Sequence, residues 1–214
     1  DTDDYQAVAI GPGLGKAAET EAALLEQIEI CQTPMVVDAD ALNLLGEKRN
    51  YIGRLPKGSI LTPHPKELER LVGKCQNSYE RLMKARELAK SAGVHIILKG
   101  AYSAIVTPAG KCFFNPTGNP GMATGGSGDV LTGVVLALLA QGYEPEKAAC
   151  LATYVHGLAG DVACKKQVED AGRIILFRLF LSCRNVEASL LQLVLDVAFI
   201  GFPQVTEHFR KNQF

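Results

Sequence analysis

The sequence has few of the features that mark nucleic-acid-binding or metal-binding proteins. Aromatic residues make up 7% of the chain, and 22 basic residues against 23 acidic residues give a net charge of −1. No basic tract stands out, so a nucleic-acid partner is not expected. The six cysteines are scattered and form no Cys-x-x-Cys pair. The sequence therefore signals neither a zinc site nor a redox motif, and a reduced, cytoplasmic compartment is the expectation.

Signals for a membrane or for secretion are also missing. The chain begins with Asp1-Thr-Asp-Asp4, which is acidic and unlike a signal peptide. No stretch reaches the roughly 18 uncharged apolar residues that a membrane helix requires. Internal repeats, low-complexity segments and a clear linker are not found either. We expect small-molecule partners and no membrane partner.

Short apolar runs alternate with helical patterns through most of the chain. Its 214 residues are 47% hydrophobic, enough for one domain, or for one domain with an appendage. Predicted strands are 7–10, 34–38, 57–62, 94–98 and a hairpin at 104–107 and 111–114. Predicted helices are 17–30, 41–45, 65–72, 79–92 with Ser78 as N-cap, 130–141, and one that starts at Pro145. This alternation favours an α/β fold with a mainly parallel sheet and helices on both faces.

Ligands of such folds bind at the carboxyl ends of the parallel strands. Five segments of the sequence fall there. They are Gly11–Gly15, Asp38 with Asp40, Thr62–Glu67, Lys99–Ser103 and the glycine-rich stretch Asn115–Asp129.

The glycine-rich stretch is the most informative of the five. Glycine lets the backbone reach positive φ and approach a ligand closely. The turn formed by residues 125–128 then opens a helix whose first N–H groups are suited to binding an anion. Asp129 lies at that position. It is either a helix-terminal acid, or a base that takes a proton from a substrate hydroxyl or helps to orient a cation.

Other candidates have two readings each. His64, held between two prolines, is either a structural residue or a ligand contact. Glu67 is more typical of a helix-dipole partner than of a metal ligand. Lys99 is a strand-end charge or a contact to a nucleotide, and Asp38 with Asp40 are solvated acids or a pair that supports a metal.

Three further features argue for less than they first suggest. Gly11-Pro-Gly-Leu-Gly15 follows a strand, but it lacks the third glycine of the dinucleotide fingerprint and contains Pro12, so a Rossmann site is disfavoured. Lys16 is not followed by Ser or Thr, which excludes a Walker A motif. His156 lies among small residues and fits a satisfied core histidine better than a catalyst.

Together these stretches resemble one family, the NAD(P)H-hydrate dehydratases of the ribokinase-like superfamily. The resemblance runs in unbroken order from about Val8 to Ala163. It rests on residues 9–15, 36–43, 61–67 and 98–100, and on Asn-Pro-Thr-Gly-Asn with Ala-Thr-Gly-Gly-Ser-Gly-Asp in residues 115–129. The last motif combined with Thr62-Pro-His-Pro65 is specific, whereas Gly-Ser-Gly-Asp alone indicates only the superfamily.

The resemblance implies repair of hydrated NADH or NADPH, driven by ADP or ATP with Mg²⁺. The hydroxyl of the hydrate would be phosphorylated and phosphate then eliminated, with Asp129 as the catalytic base. Gly13, His64 and Asp129 would face the hydrate, and no residue is assigned as a metal ligand. The adenine nucleotide would be held by Lys99, Gly100, Ala101, Tyr102, Ser103, Asn119, Thr124, Gly125, Gly126, Ser127 and Gly128.

The chain departs from the family pattern at both ends. Family members carry a further α/β segment before the Gly-Pro-Gly-Leu-Gly turn, so the fold is expected to lack its N-terminal segment. Residues 1–165 are interpreted as a partial ribokinase-like domain, and residues 166–214 as an atypical apolar, helical tail that makes a homo-oligomer plausible. Two alternatives remain: a ribokinase-like kinase of a small alcohol or vitamin precursor, and an inactive nucleotide-binding fragment.

Overall fold

A six-stranded sheet forms the centre of the molecule. The computed structural model describes residues 4–166. The strands are β1 (Val8–Ile10), β2 (Met35–Val37), β3 (Ile60–Leu61), β4 (His95–Leu98), β5 (Ala104–Val106) and β6 (Cys112–Phe114), and they lie side by side in chain order. β1 to β4 are parallel, whereas β4, β5 and β6 pair antiparallel. The mainly parallel sheet and the hairpin predicted from the sequence are confirmed.

Helices cover both faces of this sheet, as the alternation predicts. They are α1 (Ala18–Ile30), α2 (Ala39–Glu47), α3 (Pro65–Val72), α4 (Ser78–Ala92), α5 (Ser127–Ala140) and α6 (Pro145–Lys166). Two short 3-10 helices occur at Arg49–Arg54 and Pro120–Met122. Alternate residues of β2 enter opposite cores, because successive side chains of a strand point to opposite faces. Met35 and Val37 pack with α1 to α4, and Val36 packs with α5 and α6.

The ends of α3 and α4 lie at or within one residue of the positions predicted from the sequence. Pro65 occupies the first turn of α3, and Gly93 ends α4 in the left-handed conformation, as expected. The predicted cap of α4 was wrong by one residue. The N-cap is Asn77, whose side chain accepts from the Glu80 N–H, and Ser78 is the first helical residue. Asn and Ser cap helices equally well, so two adjacent candidates could not be separated by type.

Two helices begin earlier than predicted, both beside the ligand edge. α2 starts at Ala39 and α5 starts at Ser127, although the sequence reading placed their starts at Ala41 and Val130. Glycine, serine and aspartate are weak helix formers, which hid the first turn of α5. Asp129 is therefore inside the first turn of α5 and not ahead of it.

Within residues 4–166, no helix is long and apolar enough to cross a membrane. The cysteines described there, Cys31, Cys75, Cys112, Cys150 and Cys164, are free thiols. The tail predicted at 166–214 lies, apart from Lys166, outside the described residues.

Candidate functional site

The amino end of α5 presents open backbone donors at the carboxyl edge of the sheet. Its N-cap, Gly126, has a φ of 89°, which glycine adopts without strain. No described side chain caps this helix end. The Ser127 N–H donates to the Thr124 carbonyl at 3.3 Å, whereas the next two N–H groups of the first turn, those of Gly128 and Asp129, keep their capacity to bind a ligand, and the helix dipole favours an anion. The helix end lies where the glycine-rich stretch predicts an anion site, and that role stays a prediction.

Next to this helix end lies a buried carboxylate with two strong partners. Asp38 is 1% exposed. Its Oδ1 accepts a hydrogen bond from Lys99 Nζ at 2.8 Å, and its Oδ2 accepts from the Thr132 hydroxyl at 2.8 Å. These bonds connect the end of β2, the end of β4 and the second turn of α5. Asp38 thus connects the start of α5 to the ends of the two strands beside it.

A glycine favours the close approach of α5 to this ion pair. A Cβ added to Gly128 would lie 3.3 Å from Lys99 Nζ and 3.8 Å from Asp38 Oδ2. Because Gly128 has none, the first turn of α5 can settle directly against the pair. Gly11 has a similar role on the other side, where a Cβ would come within 1.8 Å of the Asp38 carbonyl oxygen.

Asp129 is exposed in this first turn. Its pKa is raised, chiefly because the surrounding protein partly desolvates the carboxyl and further because the Asp38 charge repels its ionised form. The nearby Lys99 ammonium opposes that rise. A carboxylate with a raised pKa, open to ligand and beside anion donors, has the properties of a general base.

His64 and Glu67 form the start of α3 on the same edge. The His64 Nδ1 accepts from the backbone N–H groups of Lys66 and Glu67 at 3.1 and 3.2 Å. The Glu67 carboxylate accepts from the His64 N–H at 2.8 Å, completing a reciprocal cap. Nδ1 is therefore an acceptor, so a neutral His64 carries its proton on Nε2. Glu67 also lies 3.9 Å from Lys99 Nζ, which joins this cap to the Asp38 pair.

The turn after β4 is closed by Ser103. Its hydroxyl accepts from the Gly100 N–H at 3.3 Å and donates to the Gly100 carbonyl at 3.2 Å. Tyr102 projects from the turn with 73% exposure. A flat aromatic ring and open backbone suit a nucleotide base, but the predicted role of residues 100–103 stays a prediction.

The loop that leads into α5 is fastened to α6. Gly118 N–H and Asn119 Nδ2 donate to the two carboxylate oxygens of Asp161 at 2.9 and 3.1 Å. Asn119 also caps the following 3-10 helix by accepting from the Gly121 N–H at 3.0 Å. Both polar atoms of the Asn119 side chain are thus engaged within the protein.

His156 of α6 reaches the start of α5. Its Nε2 lies 3.4 Å from the Ser127 hydroxyl. Burial lowers the pKa of His156, a hydrogen bond with Ser127 opposes that shift, and Lys99 lowers it further. His156 thus has a hydrogen-bonding neighbour, as the sequence predicts, and its non-catalytic role stays a prediction.

The Gly11–Gly15 turn lies beside the start of α2. Gly15 N–H donates to Asp40 Oδ2 at 3.0 Å, so Asp40 closes the turn. Gly13 is exposed at its tip, with a φ of 66° and open space around it. Asp38 and Asp40 have different hydrogen-bond partners, and a joint role in supporting a metal stays a prediction. Ala39 between them has a φ of 48°, a strained value for a residue with a side chain, which is typical of functional sites.

Local motifs revealed some members of this site but not others. Asp129, Lys99 and His64 were singled out, and the structure brings Asp129 and Lys99 close to each other. The sequence reading missed Thr132 and Asp161 and left Asp38 undecided. The only local signal for Asp38 was its place after a buried strand.

The described residues contain no group of three or more His, Cys, Asp or Glu side chains that could hold a metal ion. Asp38 is already occupied by Lys99 and Thr132. A Mg²⁺ ion would consequently depend on ligand phosphates for most of its ligands, which is how nucleotide-bound Mg²⁺ is commonly held.

Comparison with known proteins adds to this geometry. A family model for NAD(P)H-hydrate dehydratase matches residues 1–175. The bifunctional NAD(P)H-hydrate repair enzyme of Moorella thermoacetica is 42% identical over 170 residues, covering 78% of this chain and 32% of that protein. The ADP-dependent (S)-NAD(P)H-hydrate dehydratase of Neisseria meningitidis is 41% identical over 167 residues, covering 74% and 55%. The chain thus spans between a third and about half the length of these curated relatives.

Solved structures agree with this assignment. The ADP/ATP-dependent NAD(P)H-hydrate dehydratase of Bacillus subtilis, co-crystallised with ATP and Mg²⁺, superposes with a TM-score of 0.68 at 32% identity and covers 90% of this chain and 64% of that one. A ribokinase-like superfamily protein of Enterococcus faecalis gives a TM-score of 0.66 at 27% identity, covering 90% and 63%. The fold is ribokinase-like, and the chain belongs to the NAD(P)H-hydrate dehydratase family.

Proposed function

We propose that this chain dehydrates hydrated NADH or NADPH in a reaction driven by ADP or ATP. The observation that carries the proposal is the placement of Asp129. Its carboxyl has a raised pKa and stands in the first turn of α5, among backbone donors that no described side chain caps. A hydroxyl that reaches Asp129 would meet a base and a phosphoryl site together.

In the proposed reaction, the oxygen of the hydrate hydroxyl attacks the terminal phosphorus of the nucleotide and the bond to the bridging oxygen breaks. Asp129 accepts the hydroxyl proton. The C–O bond of the phosphate ester then breaks and releases phosphate, while the neighbouring carbon gives a proton to water, which creates the C=C bond of the reduced nicotinamide. Elimination of phosphate is easier than elimination of hydroxide, because phosphate is the better leaving group.

The described residues would divide the remaining work. The N–H groups at the start of α5 would stabilise negative charge on the transferred phosphoryl group. Lys99 would add a positive charge while Asp38 and Thr132 hold its position. His64 would offer its Nε2–H to the hydrate in place of the Glu67 carboxylate oxygen that lies 3.4 Å away, since its Nδ1 is committed to the cap of α3.

Mg²⁺ is part of the proposal as a companion of the nucleotide. When bound, it would neutralise phosphate charge during the transfer. The residues around Asp129 leave the nucleotide free to be ADP or ATP, and the family contains proteins described as dependent on ADP and on either nucleotide.

The test is turnover of hydrated NADH or NADPH by the full chain. Purified protein is mixed with either hydrate, Mg²⁺ and ADP or ATP, and recovery of NADH or NADPH absorbance is followed. Nucleotide-dependent recovery is the expected result. A phosphorylated small alcohol without such recovery would favour a kinase, and nucleotide binding without turnover would favour an inactive fragment.

Asp129→Asn sharpens this test. We expect the variant to lose at least about 100-fold in turnover, the range for a general base, with nucleotide affinity largely kept. Glu146→Gln is the matched control, because Glu146 is also an acid in the first turn of a helix but pairs with Lys111 away from the site. Equal losses of binding and turnover in Asp129→Asn would contradict the base assignment.

Self-association is the last part of the proposal. One face of α6 exposes apolar side chains at helical spacing, namely Leu151, Tyr154, Val155 and Leu158. Such a face favours contact with another protein surface. Light scattering of the purified chain would decide between a monomer and a homo-oligomer.

A further inference from the structure

α6 fastens the loop of residues 115–127 at both of its ends. At the beginning, Asn115 Nδ2 donates to the Thr153 carbonyl at 3.2 Å and the Thr117 hydroxyl donates to the Tyr154 carbonyl at 3.0 Å. At the end, the Ser127 hydroxyl meets His156. One helix therefore determines where the loop begins and where it enters α5.

The contact between loop and helix is too close for side chains on the helix. A Cβ on Gly157 would lie 2.3 Å from the Thr117 hydroxyl oxygen, and a Cβ on Gly160 would lie 2.1 Å from the Met122 sulfur. The Thr117 backbone thus lies directly against Gly157, and the Met122 side chain packs over Gly160. This contact fixes the loop laterally, and Asp161 supplies the directional bonds.

Inside the loop, successive turns connect Asn119 to the anion site. Met122 N–H donates to the Asn119 carbonyl at 3.0 Å, and Ala123 N–H donates to Pro120 at 3.1 Å. Thr124 N–H donates to Met122 at 2.8 Å, and Ser127 N–H donates to Thr124 at 3.3 Å. A shift of Asn119 would consequently be passed along the loop to the first turn of α5.

We propose that Asp161 is a positioning residue for nucleotide binding, acting through Gly118 and Asn119. This inference rests on the proposed function, because the ligand of the loop is taken to be an adenine nucleotide. It changes the expected role of Asn119. Its amide aligns the loop through Asp161 and Gly121, and the side chain does not contact the nucleotide.

The bonding pattern provides a sharp test, because it can be rebuilt with the two residue types exchanged. Asp161→Asn alone sets an amide NH₂ against the NH₂ of Asn119, and Asn119→Asp alone sets two carboxylates together. In the double variant, Asp161→Asn with Asn119→Asp, the new amide NH₂ at position 161 donates to the new carboxylate at position 119. The amide oxygen at position 161 accepts from the Gly118 N–H, and the second carboxylate oxygen at position 119 accepts from the Gly121 N–H. The double variant keeps each of these hydrogen bonds.

Titration calorimetry with ADP·Mg and with ATP·Mg measures the effect on the full chain. We expect each single variant to bind at least tenfold more weakly, and the exchanged double variant to return to within threefold of the starting protein. The control is the double variant Asp161→Ala with Asn119→Ala, whose nucleotide affinity must stay low because neither side chain can rebuild the hydrogen bonds. The inference would be overturned if the single variants bound nucleotide normally, or if the double variant with the two residue types exchanged bound nucleotide as weakly as the single variants.

Amide hydrogen exchange of residues 115–127 provides a readout independent of nucleotide. Exchange should speed up in both single variants and return to the original rate in the exchanged double variant. If the starting protein binds neither nucleotide, the proposed function fails, while the exchange rates still decide whether Asp161 positions the loop. Unchanged exchange in the single variants would refute that role.

Discussion

Replacement of Lys99 by methionine should destabilise the fold by far more than the loss of a surface charge. The substitution leaves the Asp38 carboxylate buried, with Thr132 as its remaining strong donor among the bonds described above. At 2.8 Å, and with an effective dielectric constant of about 20, the lost attraction is roughly 6 kcal/mol. The Lys99 side chain is 21% exposed, so water already screens part of this attraction. Removing the ammonium also removes the free-energy cost of desolvating it. Both effects reduce the net loss of stability. We expect about 3 kcal/mol, the lower end of what breaking a buried pair costs.

The partner substitution should cost less. Asp38→Asn keeps an oxygen for Thr132 and leaves Lys99, which is partly exposed, free to approach Glu67 from its present 3.9 Å. We expect a loss of about 1 kcal/mol, the usual net value of one hydrogen bond. The double variant, Asp38→Asn with Lys99→Met, no longer contains the buried Asp38 carboxylate. It should therefore be more stable than Lys99→Met by about 2 kcal/mol, the sign of strong coupling between the two positions.

Urea unfolding followed by far-UV circular dichroism is the suitable assay, because the chain has no tryptophan to report by fluorescence. The dependence of the free energy on urea should keep the same slope in the four proteins, so that midpoints compare directly. A cost below about 1 kcal/mol for Lys99→Met would refute the reasoning. The reasoning would also be refuted if the double variant lost as much free energy of unfolding as the two single variants lose together.

Two other predictions concern the same edge of the sheet. The pKa of Asp129 is raised in the folded state, so the protonated carboxyl favours folding at low pH and the ionised form opposes it. The favourable contribution is lost as pH rises through the raised pKa. Asp129→Asn should therefore raise the free energy of unfolding, measured by urea unfolding near neutral pH, by less than about 1 kcal/mol because the group is exposed, with a gain that shrinks toward about pH 4; a gain that is constant with pH would contradict this. Gly11→Ala should cost at least about 3 kcal/mol, since its Cβ would meet the Asp38 carbonyl at a φ of 132°. Gly53→Ala, with open space around its Cβ, is the control, and equal unfolding midpoints for the two variants would refute the clash.

The fold could be predicted from the sequence because its signals are local. β2 is buried on both faces and appears as the apolar run Met35–Val37. Pro65 and Gly93 mark a helix start and a helix end through fixed backbone angles. The sequence places each loop at a strand end, and parallel strands then bring those loops to one edge.

The hydrogen bonds within the site could not be predicted in the same way. Asp38 is separated by 61 residues from Lys99 and by 94 residues from Thr132. Asp161 is 43 residues from Gly118. Periodicity and capping rules act over one or two turns of chain, so they cannot choose partners at such distances. A buried acid after a strand signals that a partner exists, but only the packed structure identifies it.

The charges around Asp129 explain why an ion pair would be useful beside the proposed phosphate site. Each negative charge that approaches Asp129 favours its protonated form, which makes the carboxylate a stronger base. Asp38 already acts in that direction, and an arriving phosphate would add to it. Without Lys99, however, phosphate would enter a site lined by uncompensated carboxylates. Lys99 balances Asp38 while remaining close to Asp129, so the site can accept an anion and still hold a carboxylate with raised proton affinity. The catalytic proposal therefore depends on the Asp38–Lys99 pair as well as on the motif that contains Asp129.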